Sequence, residues 1–249
     1  MSDQDLRRNV ASDFPDVGMQ TFRQAAAEMD LSLTPFDCDL AQKWFEFYSH
    51  WPGRRVIGFT DPKDVAVKLL ADSFAPRLLA GALPSGPVID LGSGNGWPGL
   101  ALHQAGELCL LDSRKGACDF MRSFVTSSSL KDVRVVEARA EDACKEIALA
   151  GHFGTVTSRA MASPAMALEL GSPFVGRDGA AVLWLGPAQE GSVDVKPQIR
   201  EIGLTLAERL RYTLPGGMGQ RALAVYRRTG KPLPGYPRKI PSIKAKPLL

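Results

Sequence analysis

The sequence predicts an α/β protein. Its core is a doubly wound, mostly parallel seven-stranded sheet closed by a terminal antiparallel hairpin and preceded by an N-terminal helical extension. Three observations predict this. Short apolar runs alternate with helical patterns from residue 87 to residue 202, the order that builds a parallel sheet. A glycine-rich loop directly follows the first of those runs, in residues 87–99, PVIDLGSGNGWPG. Two later β-like runs, 204–213 and 221–228, are joined through Pro215-Gly216-Gly217, and strands joined so closely pair antiparallel.

The elements follow in chain order. Residues 1–16 are polar and expected to lack structure, and a helical pattern runs over 19–31. A second helix over 37–51 has Asp37 or Asp39 as its N-cap and an apolar stripe at Leu40, Trp44, Phe47 and Trp51. Asp61-Pro62 opens a third, to residue 79. These helices form an extension, 1–80, expected to pack on the sheet and shape the substrate entrance. Strands at 87–91, 108–112, 133–138, 154–158 and 180–185 are followed by helices from Pro98 and over 114–127, 141–149, 164–171 and 194–202. The domain proper is therefore 81–230, and 231–249 is a basic C-terminal tail.

Composition narrows the function. With 45% hydrophobic and 23% charged residues among 249, the chain is globular with a large core. No apolar run nears the roughly 20 residues that cross a bilayer, so no membrane partner is expected. The first residues, MSDQDLRRNVASD, lack a signal-peptide core. Four cysteines are scattered without a C-x-x-C pair, which predicts a reducing, cytoplasmic setting. Three separated histidines predict no metal site. No interface pattern stands out, and a monomer is expected. Net charge is +3, but residues 227–249 hold seven Lys/Arg and no Asp/Glu. That imbalance suits a polyanion touched locally, or simply a solvated terminus.

The glycine loop carries the chemistry. Val88-Ile89-Asp90-Leu91 reads as a buried strand. Gly92, Gly94 and Gly96 then permit positive φ and close approach of a ligand. Dinucleotide sites use G-x-G-x-x-G to hold a pyrophosphate. Here the spacing is G-x-G-x-G, and Asp90 precedes it. A carboxylate repels phosphate but suits an ammonium, directly or through water, so Asp90 and the loop read as the methionine end of an S-adenosyl-L-methionine (SAM) site. A glycine-rich turn of another α/β protein is the plainer alternative. Asp112 ends the second strand, 20 residues after Gly92, where an acid reaches a ribose hydroxyl pair. The same Asp would also serve as a helix cap. Ala140, Glu141 and Asp142 follow the third strand and are placed for the adenine, or as acids complementing a helix dipole.

The acceptor is read from the loop after strand four, Thr157-Ser158-Arg159-Ala160-Met161-Ala162-Ser163-Pro164. It has neither the Asp/Asn-Pro-Pro-aromatic pattern of amine methylation nor a Cys after Pro, and no His-based general base is apparent. An acceptor needing no deprotonation fits, and guanine N7 is one. Catalysis would then be positioning and electrostatics.

GSGNGWPG, LLDSRK at 110–115, the Arg139-Ala140-Glu141 turn and TSRAMAS at 157–163, in this order, resemble one family. It is the bacterial small-subunit rRNA guanine-N7 methyltransferase family, also called glucose-inhibited division protein B. Tyr236-Pro237-Arg238 and Lys244-Ala245-Lys246-Pro247-Leu248 resemble its closing segment, and Asp61-Pro62 and Ala71-Asp72-Ser73 its N-terminal helices. The resemblance spans residues 35–249. It implies the class I SAM-dependent, Rossmann-like methyltransferase fold and methyl transfer to N7 of a guanosine in the 530 loop of 16S rRNA. It also implies a SAM pocket lined by Gly92 and Trp97, with Ala140 and Glu141 at the adenosine end. Arg159 would stand beside SAM and the base as the catalytic residue. Arg238, Lys239, Lys244 and Lys246 of the tail would hold RNA phosphates. The chain departs from the family at 56–60, where Asn-Leu-Thr is absent, at Leu69 in place of His, and at Leu185 in place of Lys. Those departures leave open another RNA or a small molecule as acceptor. A non-catalytic, SAM-binding partner of RNA or the ribosome is the remaining alternative.

Overall fold

Val88, Ile89, Asp90 and Leu91 are all buried, as a strand covered on both faces must be, and the sheet is built outward from them. The computed structural model describes residues 3–190 and 197–248. Its strands are β1 (Val88–Leu91), β2 (Leu108–Asp112), β3 (Val133–Glu137), β4 (Phe153–Ser158), β5 (Val175–Leu185), β6 (Leu204–Thr213) and β7 (Gln220–Arg228). They form one 7-stranded sheet in the order β3-β2-β1-β4-β5-β7-β6. The first five pair parallel, and β7 lies antiparallel between β5 and β6. The predicted fold is thus the observed one. Strand order reverses between β1 and β4, and such a switch point opens a crevice at the carboxyl ends of the strands.

The N-terminal segment is more ordered than its composition predicts. Helix α1 runs Asp3–Glu28, so the disorder expected for 1–16 is corrected over 3–16. Packing explains this: Phe14 is buried against Phe45 and Tyr48, with ring centroids 6.0 and 5.7 Å apart. Helix α2 (Pro35–Ser49) is capped by Thr34, not by Asp37 or Asp39. Asp37 instead closes the capping box: its Oδ2 accepts from Thr34 N at 2.6 Å while Thr34 Oγ1 accepts from Asp37 N at 3.2 Å. The predicted third helix is broken into α3 (Pro62–Asp64), a π-helix (Val65–Ala71) and a 3-10 helix (Ala75–Leu78). Widened turns release carbonyls from the helical ladder, and Leu69 O is taken by Ser73 Oγ at 2.5 Å and Arg159 Nη1 at 3.1 Å.

Segments after the strands differ in length from expectation. The loop after β1 leads into a 3-10 helix (Gly99–Ala105), not an α-helix. A Cβ on Gly99 would stand 2.8 Å from both Asp90 Cβ and Leu110 Cδ2, so the backbone is drawn tightly onto the sheet. Helix α4 (Lys115–Ser127) follows β2 as expected. Helix α5 (Ala140–Ala143) stops short of residue 149. Residues 145–148 are all exposed, so no apolar face holds a longer helix against the sheet. Helix α6 (Pro164–Gly171) matches. Strand β5 starts five residues early, because the segment read as a turn continues extended with a bulge opposite Phe153 and Thr155. Beyond α7 (Pro187–Glu190), the expected helix over 194–202 lies partly outside the described residues, and 197–202 is a 3-10 helix. Helix α8 (Ile240–Ala245) occupies the tail.

Strand alternation divides the core. Val88, Leu108 and Leu110 join Phe22, Trp44, Leu70, Phe74 and Phe120 on one face, so the helical extension shares a core with the sheet. Ile89, Leu91 and Leu111 face α5, α6 and the tail residues Ile243 and Leu248. Trp44 also donates its indole N–H to Asn95 O at 3.1 Å, tying α2 to the glycine loop.

Candidate cofactor and acceptor site

The carboxyl ends of β1 to β4 enclose a cavity of about 560 Å³, within the usual range of small-molecule sites. Gly92, Asp112, Ala140 and Glu141 all line it, so four of the predicted cofactor residues meet, one contribution from each of the first three strands. Asp90, Gly94, Gly96, Trp97 and Arg159 are not among its lining residues.

Gly92 has φ +72°, and a Cβ there would stand 2.7 Å from Met161 Cγ. The loop after β4 therefore presses directly on the loop after β1. Gly94 has φ +58° and donates its N–H to Asp112 Oδ2 at 2.9 Å. Gly96 lies deeper, its N–H on Ser93 O at 2.9 Å and its carbonyl on Leu100 N at 2.9 Å. Asp112 is 5% exposed and also accepts from Arg114, whose backbone N reaches Oδ1 at 2.8 Å. The Arg114 guanidinium, at 3.2 Å from both oxygens, is 66% exposed. Such a solvated pair contributes only about 0–1 kcal/mol, so a pair of ribose hydroxyls can displace it. Met161, Met166, Leu170 and Ile240 supply an apolar wall suited to a purine. This mixture of acid, helix start and apolar wall fits SAM.

Asp90, expected at the methionine end, lies beneath the cavity and does not line it. It is fully buried, and both carboxylate oxygens are engaged, by Thr157 Oγ1 at 2.8 Å and Gly99 N at 3.2 Å. It joins β1, β4 and the end of the glycine loop. Burial pushes its carboxyl up to about 7, against the opposing pull of Thr157, Gly99 N, Arg159 and Ser93. The sign follows. In the unfolded chain this acid ionises near its usual 3.8. Between that pH and about 7 the folded state keeps a proton the unfolded state has lost, so stability falls as pH rises through the window. The loss totals at most about 4 kcal/mol. Asp90→Asn stays neutral and should not show this decline. Urea unfolding at pH 5 and pH 8 checks it: the variant should gain on the wild type at the higher pH.

Arg159 leaves the sheet beside Gly92, because Ser158 pairs with Leu91. Its Nη1 is held by Asp72 Oδ2 at 2.8 Å and by Leu69 O. Asp72, 3% exposed, also accepts from Tyr212 OH at 2.6 Å, and its carbonyl accepts from Trp184 Nε1 at 2.9 Å. Burial and the Asp72 carboxylate both push the Tyr212 hydroxyl's pKa up, so it remains a donor. Arg159 Nη2 and Trp97 Nε1 are buried without a hydrogen-bond partner among the described residues. The loops after β1 and β4 therefore each hold a donor without an acceptor among the described residues.

In the tail, Arg238 is bound to Glu169, with Nη2 at 2.6 Å and Nε at 2.9 Å. Lys239, Lys244 and Lys246 are exposed. No group of three His, Cys, Asp or Glu that could hold a metal occurs among the described residues, and no helix there is long and apolar enough to cross a membrane. All four cysteines are free thiols. Sequence reasoning missed Arg114, Met166, Leu170 and Ile240 as lining residues, Asp72 as the partner of Arg159 and Tyr212 as the partner of Asp72. Only Arg114, two residues past Asp112, carried a local signal.

The profile of the family described as rRNA small subunit methyltransferase G matches residues 40–201. The chain is 29% identical over 237 residues to ribosomal RNA small subunit methyltransferase G of Leuconostoc citreum, covering 92% of this chain and 99% of that protein. It is 30% identical over 229 residues to the protein of that name from Pelotomaculum thermopropionicum, covering 88% and 94%. Among solved structures, the Escherichia coli protein yhhF, described as a methyltransferase, superposes with a TM-score of 0.50 at 16% identity. It covers 71% of this chain and 92% of that one, a likeness of fold.

Proposed function

The chain belongs to the rRNA small subunit methyltransferase G family, and on that premise we propose that it transfers a methyl group from SAM to N7 of a guanosine in the 530 loop of 16S rRNA. The observation that carries the reading is the convergence of Gly92, Asp112, Ala140 and Glu141 on one cavity. When bound there, SAM supplies a methyl group activated by its sulfonium. Asp112 accepts from the ribose hydroxyls, Ala140 and Glu141 meet the adenine, and Gly92 admits the methionine end. Asp90, Gly94, Gly96 and Trp97 hold the loop in shape from behind.

Guanine N7 has a free lone pair, so no residue need remove a proton. The protein's work is orientation and charge. Asp72 fixes one nitrogen of Arg159 and leaves Nη2 as a directed donor. Arginine reads guanine through O6 and N7. A donor on N7 would occupy the reacting lone pair, so Nη2 serves O6. Leu69 and Leu185, where the family resemblance breaks, are packed in the two cores, and other groups therefore face the acceptor. Lys239, Lys244 and Lys246 are free for phosphates, a contact weakened by salt. The reading is of a cytoplasmic monomer acting on the small ribosomal subunit.

The test offers methyl-labelled SAM to small- and large-subunit RNA. Label should enter the small-subunit RNA alone, less efficiently as salt rises. Equal labelling of both, or of neither while S-adenosylhomocysteine still binds, contradicts the reading.

A further inference from the structure

Ile240 is the point at which the C-terminal segment reaches the cavity, and the chain on both sides of it is fastened to the core. Two residues before it, Arg238 meets Glu169 of α6, a carboxylate with 0% exposure. Glu169 accepts from Arg238 N at 2.8 Å, Nε at 2.9 Å and Nη2 at 2.6 Å. The guanidinium also lies over the Tyr236 ring, 5.3 Å from its centroid, while the Tyr236 hydroxyl donates to Glu201. After Ile240, Ile243 and Leu248 are buried at 1% and 4% exposure in the core that α6 shares. The same α6 presents Met166 and Leu170 to the cavity. One short helix thus builds part of the cavity wall with two side chains and holds the tail with a third.

We propose that the C-terminal tail is a wall of the cofactor cavity, set by the Glu169–Arg238 pin, which makes Glu169 and Arg238 positioning residues for cofactor binding. This rests on the reading of the cavity as a SAM site. A buried carboxylate needs its partner, so the pin fixes where the backbone enters α8 and hence where Ile240 sits. Binding and tail order are then linked: a ligand that touches Ile240 holds the tail down, and a held tail improves binding by the same factor.

The test uses the full chain, with S-adenosylhomocysteine as the probe in calorimetry and limited trypsin digestion after the exposed Lys239 and Lys244. Ile240→Ala should weaken binding about tenfold, since it removes roughly two buried methylene equivalents, with the melting temperature unchanged. Arg238→Ala should weaken binding comparably and speed cleavage of the tail, and Arg238→Lys should recover part of both. In the wild type the probe should slow tail cleavage, an effect lost in Ile240→Ala. Wild-type affinity in Ile240→Ala and Arg238→Ala, with the tail freed in the latter, would overturn the inference and leave the cofactor reading intact. No binding by the wild type would overturn both.

Discussion

Arg159→Lys should lower the rate of methyl transfer about a hundredfold, the cost of one oriented donor at a reacting centre, while cofactor affinity stays within about threefold. Lysine keeps a positive charge for the buried Asp72, bonded to Arg159 at 2.8 Å, so the carboxylate is not left uncompensated. What it loses is Nη2, the nitrogen without a partner among the described residues. The split between rate and binding is the point of the experiment. Arg159→Ala would also cost about 3–5 kcal/mol through the orphaned Asp72, and the two losses would be confounded. Tyr212→Phe offers a second handle. It removes the 2.6 Å bond to Asp72 without touching Arg159, and should reduce the rate by a smaller factor. Single-turnover transfer with labelled SAM, beside calorimetry with S-adenosylhomocysteine, separates rate from affinity. Full turnover in Arg159→Lys would remove the residue from the reaction.

Gly92→Ala should weaken cofactor binding about a hundredfold or more. The backbone there has φ +72°, which costs an L-residue about 1–2 kcal/mol. The new methyl would also stand 2.7 Å from Met161 Cγ and 2.8 Å from its Cβ. A side chain cannot yield at its own Cβ, so the loop after β4 must move, and that loop lines the cavity and carries Arg159. Gly116→Ala is the control. A Cβ at that glycine meets nothing within 4 Å, and both binding and transfer should match the wild type. Unchanged affinity in Gly92→Ala would show that the ligand does not need the contact between these loops.

The two variants mark where the site was legible in the sequence. The convergence of Gly92, Asp112, Ala140 and Glu141 was readable because they stand at or just past the ends of the first three strands, and parallel strands bring consecutive βα loops to one edge. The parallel core and the closing hairpin followed from the same alternation and from Pro215-Gly216-Gly217, whereas the order of the strands, which depends on where each crossover returns, appears only in the fold. The burial of Asp90 was not readable because its position before the loop does not tell on which side of the sheet its carboxylate is spent. That depended on Thr157, which β4 brings alongside it. Asp72 and Arg159 are 87 residues apart, and the π-helix that frees Leu69 O has no periodicity of its own to read. Ile240 and Arg238 looked like part of a basic tail because a charge count does not say what a buried Glu169 will claim.

The proposed methylation of guanosine N7 in small-subunit rRNA is tested most directly by incubating the protein with labelled SAM and small subunits lacking the modification, digesting the RNA and separating the nucleosides. The expected result is label in 7-methylguanosine alone, from one site in the 530 loop, and about a hundredfold slower in Arg159→Lys. Label in a different nucleoside, or none while S-adenosylhomocysteine binds, would contradict it.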